Sequence, residues 1–416
     1  MIRLPSLLYP AAFLCLSALT ACGTAEKHLM GDPMNPYPRL SPPRVGEIIH
    51  VPTGIAVSSA QMLSIAGEAR IVYVGETHDN PASHRLELEV LKSLADRYPG
   101  RTALGMEMFS RAQQPALDRW IAGELNEKAF LKESRWYENW KMDFTYYRDL
   151  LVFARDRHIP VIALNTEKSL MNLVRNKTMD QLSPEERAQL PELDLDDPYQ
   201  RGLMQAILGD HSHGGMQTEG FVRSQTLRDE FMAESVARFL ASPAGEGRHM
   251  LVIAGGNHVR HGFGIPRRVF RRMPTSYVVI GGREIDIQAD KQNRLMDVEL
   301  PGFPMVPYDF QVYLNYEDLP KTGVLLGVLT EPASTGRGLL IRDVISGSNA
   351  GRAGIQVGDL LLTVDGEVME TNFDLVNAVR QKHAGDHGVL QIERQGQNLI
   401  MDVHFQAAAE SHAEKP

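Results

Sequence analysis

The sequence predicts an α/β fold, in which a mostly parallel sheet is flanked by helices and carries an inserted helical subdomain, followed by a smaller β-rich domain. Three observations support this prediction. Short apolar runs rich in Val and Ile alternate with segments of helical periodicity. Polar residues capable of chemistry follow several of these runs. A proline-marked boundary precedes a C-terminal stretch rich in glycine turns.

The composition is that of a folded protein with two or three domains. The chain has 416 residues, of which 43% are hydrophobic and 23% charged, and this balance excludes a disordered or fibrous chain. The net charge of −9 argues against nucleic acid as a partner. The two cysteines, Cys15 and Cys22, lie near the N-terminus, which excludes a disulfide scaffold or a cysteine-ligated metal site.

The N-terminal segment is interpreted as a signal peptide over residues 1–21. Arg3 precedes an apolar stretch that is too short and too interrupted by prolines to span a bilayer. Its end, Leu19-Thr-Ala-Cys22, resembles the lipobox of bacterial lipoproteins. That resemblance implies that Cys22 is lipidated and anchors the protein in the cell envelope. The resemblance also implies the outer membrane, because the residue after Cys22 is Gly23 and not the aspartate that resembles an inner-membrane retention signal. A plain secretory signal is the alternative. Residues 22–48 are rich in proline and are predicted to form an extended tether.

The main α/β domain is predicted over residues 49–290. Five apolar runs are interpreted as buried parallel strands, at residues 70–74, 102–106, 160–164, 250–254 and 276–280. Helices are predicted over residues 83–98 and 144–157, and a helical insertion over about 166–245 with a helix at 225–240. A linker at 291–321, a second domain at 322–405 and a tail at 406–416 complete the predicted organisation.

Polar side chains follow the predicted strands at their C-terminal ends. Glu76 and His78 follow the first strand, Glu107 the second and His258 the fourth. Because the carboxyl ends of parallel strands meet at one edge of a sheet, these four residues are expected to form a pocket or a site for a divalent metal. Glu76 or Glu107 is then the candidate catalytic base. The alternative is that the histidines are structural and Glu107 only orients one of them.

Several segments together resemble one known family. They are Gly75-Glu-Thr-His78, Gly105-Met-Glu-Met-Phe109, Trp136-Tyr-Glu-Asn-Trp140 with Tyr146 and Tyr147, Ile162-Ala-Leu-Asn165, and Gly255-Gly-Asn-His258. The ensemble, over about residues 50–285, is similar to the ChaN family of haem-binding lipoproteins, which in turn resembles the Tiki metalloproteases and erythromycin esterases. The resemblance implies that haem is the ligand, bound at a homodimer interface through Tyr and His side chains.

The insertion offers candidate haem ligands. Tyr199 is followed by His211 and His213, which are flanked by glycine on a predicted loop. Haem iron accepts axial ligands of these residue types, so Tyr199, His211 and His213 are the candidates. A polar surface loop with incidental histidines is the alternative. The absence of a Cys-x-x-Cys-His motif from the sequence excludes covalent haem attachment.

The C-terminal segment carries a second resemblance. Gly336-Arg-Gly-Leu-Leu-Ile-Arg-Asp-Val344, Ser348-Asn-Ala-Gly-Arg-Ala-Gly354 and Val357-Gly-Asp-Leu-Leu361 are similar to a bacterial PDZ domain of the HtrA type, a β-barrel-like fold. The resemblance implies a peptide-binding loop and strand formed by Gly338, Leu339, Leu340 and Ile341, with a helix at residues 373–382 as the other wall. The partner would be the C-terminus of an envelope protein, added as a strand. A PDZ fold used only for internal packing is the alternative.

Three functions follow from these interpretations. The first is a membrane-anchored, haem-binding lipoprotein in haem or iron uptake whose PDZ domain docks a partner. The second is a metal-dependent hydrolase or peptidase at the paired Gly-x-x-His motifs, and the third is an envelope adaptor. Since the sequence contains neither a His-Glu-x-x-His nor a Gly-x-Ser-x-Gly motif, we expect a binding protein rather than an enzyme.

Overall fold

The computed structural model describes residues 37, 41–209, 215–285, 287–288, 300, 302–320, 323–334 and 336–407. The predicted signal peptide, Cys22, most of the predicted tether and both His211 and His213 lie outside the described residues. Among the helices that are described, none combines the length and the apolar character that a bilayer crossing requires.

The α/β domain is built on an eight-stranded sheet with the order β2-β1-β8-β7-β3-β6-β4-β5. Its strands are β1 (Ile48–His50), β2 (Ile55–Val57), β3 (Ile71–Glu76), β4 (Thr102–Ser110), β5 (Val161–Asn165), β6 (His249–Gly255), β7 (Tyr277–Ile285) and β8 (Phe310–Asn315). The pairs from β8 to β5 are parallel, whereas β1 is antiparallel to both β2 and β8. The prediction of a mostly parallel sheet is confirmed, with the five predicted strands observed as β3 to β7.

Helices cover both faces of this sheet. They are α1 (Ser59–Ala66), α2 (Pro81–Arg97), α3 (Gln114–Ile121), α4 (Glu127–Glu133), α5 (Trp136–Asn139), α6 (Thr145–Asp156), α7 (Lys168–Asn176), α8 (Pro184–Arg187), α9 (Pro198–Leu208), α10 (Gly215–Leu240), α11 (Gly256–Val259) and α12 (Ile265–Arg272). Helix α2 begins where the Asn80 side chain accepts a hydrogen bond from the N–H of Ala82 at 3.1 Å and Pro81 fills the first helical position.

Strand β3 shows why the sheet is buried on both faces. Val72 and Val74 pack into the core cluster that contains Trp120 and Trp136, while Ile71 and Tyr73 pack into a second cluster on the opposite face. Alternate residues of a strand point to opposite faces, so a continuous apolar run indicates helices on both sides. The second cluster includes the C-terminal half of α10, so this helix of the predicted insertion covers the sheet, and it begins ten residues earlier than predicted.

The predicted linker over residues 291–321 needs a correction. Phe310–Asn315 forms β8, which pairs in parallel with β7 and antiparallel with β1. Phe310 and Val312 are buried in the main core. The neighbouring prolines concealed this strand, and β1 and β2 are three residues each, too short for a periodic pattern to identify.

The C-terminal domain is a separate antiparallel sheet with the order β14-β13-β11-β10-β9 and β12 paired to β11. Its elements are β9 (Val328–Pro332), β10 (Leu339–Val344), α13 (Asn349–Arg352), β11 (Leu360–Val364), β12 (Glu367–Val368), α14 (Asn372–Arg380), β13 (His387–Arg394) and β14 (Gln397–His404). Asp365 and Gly366 form the tight hairpin turn that joins β11 to β12, with φ of +50° and +83°.

Helix α14 contacts the α/β domain. The guanidinium of Arg380 lies over the ring of Tyr137 at 4.3 Å, and Tyr137 also meets Phe373 with ring centroids 6.3 Å apart. Lys128 pairs with Glu367 at 2.7 Å. These contacts connect α14 and β12 with the α4–α5 region of the α/β domain.

Candidate functional site

The carboxyl ends of β3, β4 and β6 bring the two Gly-x-x-His motifs together. Glu76 at the end of β3 pairs in register with Gly255 at the end of β6. A Cβ atom at Gly255 would lie 3.1 Å from His78 Nε2 and 3.6 Å from Glu107 Oε2. Glycine at this position therefore allows the His78 ring to approach the end of β6 and Glu107.

Glu107 lies between the two motifs and is completely buried. Its Oε2 accepts a hydrogen bond from the N–H of Gly255 at 2.8 Å, and its Oε1 accepts one from Arg228 and lies 3.4 Å from His258 Nε2. Burial raises the pKa of Glu107, but the positive charges of His258 and Arg228 outweigh it and bring the value to about 2. An ionised carboxylate with so low a pKa is a poor proton acceptor, so the geometry favours an orienting role over that of a general base.

His258 is fixed by a buried network. Its Nδ1 lies 2.5 Å from Asp229 Oδ1, and Asp229 Oδ2 accepts a hydrogen bond from Gln200 at 2.5 Å. The side-chain oxygen Oε1 of Gln200 in turn accepts hydrogen bonds from Thr226 and from the buried Arg268. Asp229 and Arg228 both belong to α10, so the inserted helix supplies partners to both Glu107 and His258.

Glu76 and His78 form the other half of the site. Glu76 Oε1 accepts a hydrogen bond from the hydroxyl of Tyr147 at 2.8 Å and lies 2.5 Å from His78 Nδ1. Burial lowers the pKa of His78, but the hydrogen bond and charge of Glu76 outweigh it and raise the value to about 9. Burial, with the neighbouring Glu87, raises the pKa of Glu76 to about 7. The His78 side chain is 38% exposed and meets the edge of Trp140 at 4.9 Å, so this histidine is accessible from solvent.

Sequence reasoning missed Arg228 and Asp229 of α10, and it also missed His84 and Glu87 on α2. His84 Nδ1 lies 3.1 Å from Glu87 Oε2 and 3.3 Å from Glu76 Oε2. Burial raises the pKa of Glu87 to about 7 and lowers that of His84. The available signal was their position in the helix, since they share the buried stripe of α2 with Leu86 and Val90.

Of the predicted haem ligands, Tyr199 is described. It lies in the first turn of α9, where the Asp197 side chain accepts a hydrogen bond from its N–H at 3.0 Å. Tyr199 is 40% exposed, and its ring stacks on Phe263 with centroids 5.4 Å apart and meets the edge of Phe303 at 6.2 Å. We call the exposed Tyr199, with the buried Phe263 and Phe303 beneath it, the Tyr199 surface. His211 and His213 fall on the segment between α9 and α10 that lies outside the described residues.

The predicted peptide site at Gly338, Leu339, Leu340 and Ile341 is wrong in its position. Leu339 and Leu340 belong to β10, which is paired with β9 on one side and β11 on the other. A strand with both edges paired has no backbone groups left for a peptide. Strand β9 ends the sheet order in the described part of the domain and lies beside α14, where Thr330 donates a hydrogen bond to Asn372 at 2.7 Å.

Comparison with known proteins identifies both domains. A family described as haem-binding uptake, Tiki superfamily, ChaN matches residues 62–269, which is half of the chain. A PDZ-domain family matches residues 324–405. No curated protein sequence matches the chain.

Among solved structures, ChaN of Campylobacter jejuni with cofacial haem is 15% identical, with 64% of this chain and 95% of that chain covered and a TM-score of 0.49. A serine endoprotease from Yersinia pestis is 22% identical, with 21% of this chain and 30% of that chain covered and a TM-score of 0.19. The HtrA3 PDZ domain bound to a phage-derived ligand is 20% identical, with 20% of this chain and 85% of that chain covered and a TM-score of 0.19.

The first family match covers most of the α/β domain, and the second covers the separate antiparallel sheet. The chain belongs to the ChaN family of haem-binding uptake proteins in the Tiki superfamily, and it carries a C-terminal PDZ domain.

Proposed function

We propose that this protein is a membrane-anchored lipoprotein that takes part in haem or iron uptake, binds haem at the Tyr199 surface and uses its PDZ domain to dock the C-terminus of an envelope protein. The family match over residues 62–269 is the observation that carries the haem proposal. The lipobox-like end of the signal segment supports anchoring through Cys22 in the outer membrane. Haem is then the cargo of the protein.

The residue types at the Tyr199 surface are suitable for binding a porphyrin. A porphyrin needs an apolar or aromatic face and an axial ligand, and a tyrosine hydroxyl is one of the groups that bind haem iron. Tyr199 offers an exposed ring on an aromatic base, and Met305 adds a second exposed apolar side chain near His261, which packs on Phe263. Arg201 is partly exposed two residues further on, where it pairs with Glu219 at 2.7 Å and could exchange this partner for a propionate.

Tyr199 lies in the first turn of α9, whereas His211 and His213 follow the C-terminal end of this helix in the sequence. Ten residues separate Tyr199 from Gly209, which corresponds to about 15 Å along a helix. We therefore treat Tyr199 and the His211/His213 pair as alternative axial ligands within one chain. A homodimer, which the family resemblance implies, would allow one chain to supply the tyrosine and its partner a histidine.

Hemin titration of the detergent-solubilised full chain tests the haem proposal. We expect a saturable, shifted Soret band that Tyr199→Phe abolishes or shifts, because the substitution removes the hydroxyl and keeps the ring. His211→Ala and His213→Ala are measured in parallel. Tyr277→Phe is the matched control, since Tyr277 is 37% exposed and lies on β7. A wild-type chain that leaves the hemin spectrum unchanged would refute the proposal, and light scattering with and without hemin tests the dimer.

The groove between β9 and α14 is the proposed peptide site of the PDZ domain. Leu325, Leu329 and Val376 are exposed apolar side chains on the β9 segment and α14, at 66%, 63% and 44% exposure. Within the described residues, no backbone hydrogen bond uses the N–H groups of Leu326 and Gly327, just before β9. Free N–H groups at such a turn suit a terminal carboxylate, while β9 would accept the peptide backbone as an added strand.

A fluorescence-anisotropy screen of C-terminal peptides tests this docking. We expect binding that is lost when the peptide is amidated at its C-terminus and weakened by Val376→Lys. Val389→Lys is the control, since Val389 is 45% exposed on β13, away from the groove. Equal affinity for free and amidated peptides would contradict the proposed mode of binding.

A further inference from the structure

We propose that Glu76, His84 and Glu87 form a binding site for one divalent transition-metal ion of the Zn²⁺ class, beneath His78. This site differs from the histidine pair of the Gly-x-x-His motifs, and it is independent of the proposed haem surface. Within the described residues, these three side chains have ligand atoms that all lie within 4.8 Å of one another.

The spacing of the ligand atoms matches a small coordination sphere. His84 Nδ1 lies 3.1 Å from Glu87 Oε2 and 3.3 Å from Glu76 Oε2. Zinc binds imidazole nitrogen and carboxylate oxygen at about 2.0–2.2 Å, so two ligands at a tetrahedral angle are about 3.3 Å apart. Both carboxylates therefore lie at the distance from His84 Nδ1 that ligands of one ion would have.

The other ring nitrogen of His84 determines which form of the imidazole faces the carboxylates. His84 Nε2 lies 3.1 Å from the backbone carbonyl oxygen of His78. A carbonyl oxygen only accepts hydrogen bonds, so Nε2 carries a proton and, in the neutral ring, Nδ1 presents a lone pair. This is the arrangement typical of metal-binding histidines, in which the second nitrogen donates to a carbonyl that fixes the tautomer and the ring orientation.

Two carboxylate oxygens in the cluster lack a hydrogen-bond donor among the described residues. They are Glu76 Oε2 and Glu87 Oε1, and the two residues are 5% and 0% exposed. A buried carboxylate oxygen without a donor is costly, and a lone pair of His84 adds further negative potential at the same place. A bound cation would satisfy all three groups at once.

The surroundings resemble the outer shell of a metal site. Tyr147 donates its hydroxyl to Glu76 Oε1 at 2.8 Å, and its ring lies 4.5 Å from the ring of His84. Such second-layer hydrogen bonds orient ligating carboxylates. One imidazole with two carboxylates suits zinc or manganese, whereas calcium takes six to eight oxygen ligands and magnesium retains several waters.

The test measures metal content and does not depend on an activity. The full chain is stripped with a chelator, equilibrated with Zn²⁺ and analysed by mass spectrometry for bound metal. We expect one Zn²⁺ per chain for the wild type, and loss of that ion in both Glu87→Gln and His84→Gln. Tyr147→Phe should weaken binding by about 10- to 100-fold, as changes in the outer shell do. Glu89→Gln is the matched control, because Glu89 lies exposed on the same helix.

Several outcomes would overturn the proposal. A wild-type chain without bound metal would do so, and so would an ion that Glu87→Gln retains or that leaves with a His211→Ala/His213→Ala double variant. If the variants fail to fold, X-ray absorption spectroscopy of the zinc-loaded wild type replaces them. The proposal requires one imidazole ligand among oxygen ligands, and any other ligand set would overturn it. The same variants are also titrated with hemin. An unchanged Soret band in variants that have lost the metal would separate the metal site from the proposed haem function.

Discussion

Acidification is expected to destabilise the α/β domain through one buried histidine, His261. This residue follows α11, is 7% exposed and bonds through Nδ1 to the carbonyl oxygen of Met305 at 2.9 Å. Burial, with the nearby charge of Arg260, lowers its pKa from 6.5 to about 4. The folded chain therefore holds His261 neutral at a pH where the unfolded chain protonates it.

The sign and size of the effect follow from that difference. Because the unfolded state binds the extra proton, the contribution of His261 is fully present above about pH 7 and falls as the pH drops from 6.5 toward 4. Each unit of difference between the pKa values of the folded and unfolded states is worth about 1.4 kcal/mol. The free energy of unfolding therefore falls by about 2 kcal/mol between pH 8 and pH 5, and by about 3 kcal/mol below pH 4.

The assay compares the wild type with His261→Asn in urea at pH 8, 6.5 and 5. Asparagine tolerates the left-handed backbone of this position, where φ is +56°. All three tryptophans, Trp120, Trp136 and Trp140, belong to the α/β domain, so their fluorescence reports its unfolding. The smaller side chain of the variant weakens the packing equally at every pH. Because asparagine does not titrate, the variant should lose about 2 kcal/mol less stability than the wild type between pH 8 and pH 5. Parallel pH profiles for the two proteins would refute the reasoning.

Three further predictions concern the packing of the site and of the two domains. Arg228→Met leaves the buried carboxylate of Glu107 without its guanidinium and should lower the free energy of unfolding in urea by about 3–5 kcal/mol, with a smaller loss for Arg228→Lys. Gly75→Ala places a Cβ atom 2.8 Å from Val259 and should cost about 1–3 kcal/mol by the same assay, while Gly302→Ala, which has open space around it, should be near neutral. Tyr137→Ala removes the ring beneath Arg380, a contact worth about 0.5–1 kcal/mol, and should speed limited proteolysis between the domains.

The central strands and the meeting of four site residues could be predicted because both follow from local pattern and a general rule. Runs such as residues 70–74 are buried on both faces and so are apolar throughout, and parallel strands place their carboxyl ends at one edge. Glu76 and Glu107 could therefore be assigned to one site from the sequence alone. Strands β1 and β2 offered no comparable signal, because three residues do not establish a period.

The missed partners of the site come from helices. His84, Glu87, Arg228 and Asp229 are polar residues in helical segments, where a polar residue usually faces solvent. Their burial results from the packing of α2 and α10 over the sheet edge. The apolar stripe of α2 marks the buried face of that helix, but it does not show which residues His84 and Glu87 meet there. The PDZ groove shows the same limit, because the segments at 323–327 and 338–341 are both glycine followed by apolar residues. Strand pairing alone distinguishes the edge strand from the central one.

The two Gly-x-x-His motifs look equivalent in sequence, yet their histidines are placed for different tasks. His258 is 7% exposed, with Asp229 at one ring nitrogen and Glu107 near the other, so a ligand from solvent finds neither nitrogen accessible. The side chain of His78 is 38% exposed, and its Nδ1 contacts Glu76 of the buried Glu76–His84–Glu87 cluster. An external ligand must therefore enter from the His78 side, where α5 and Trp140 border the site. The His258 half then serves to hold Glu107 and the end of β6 in place.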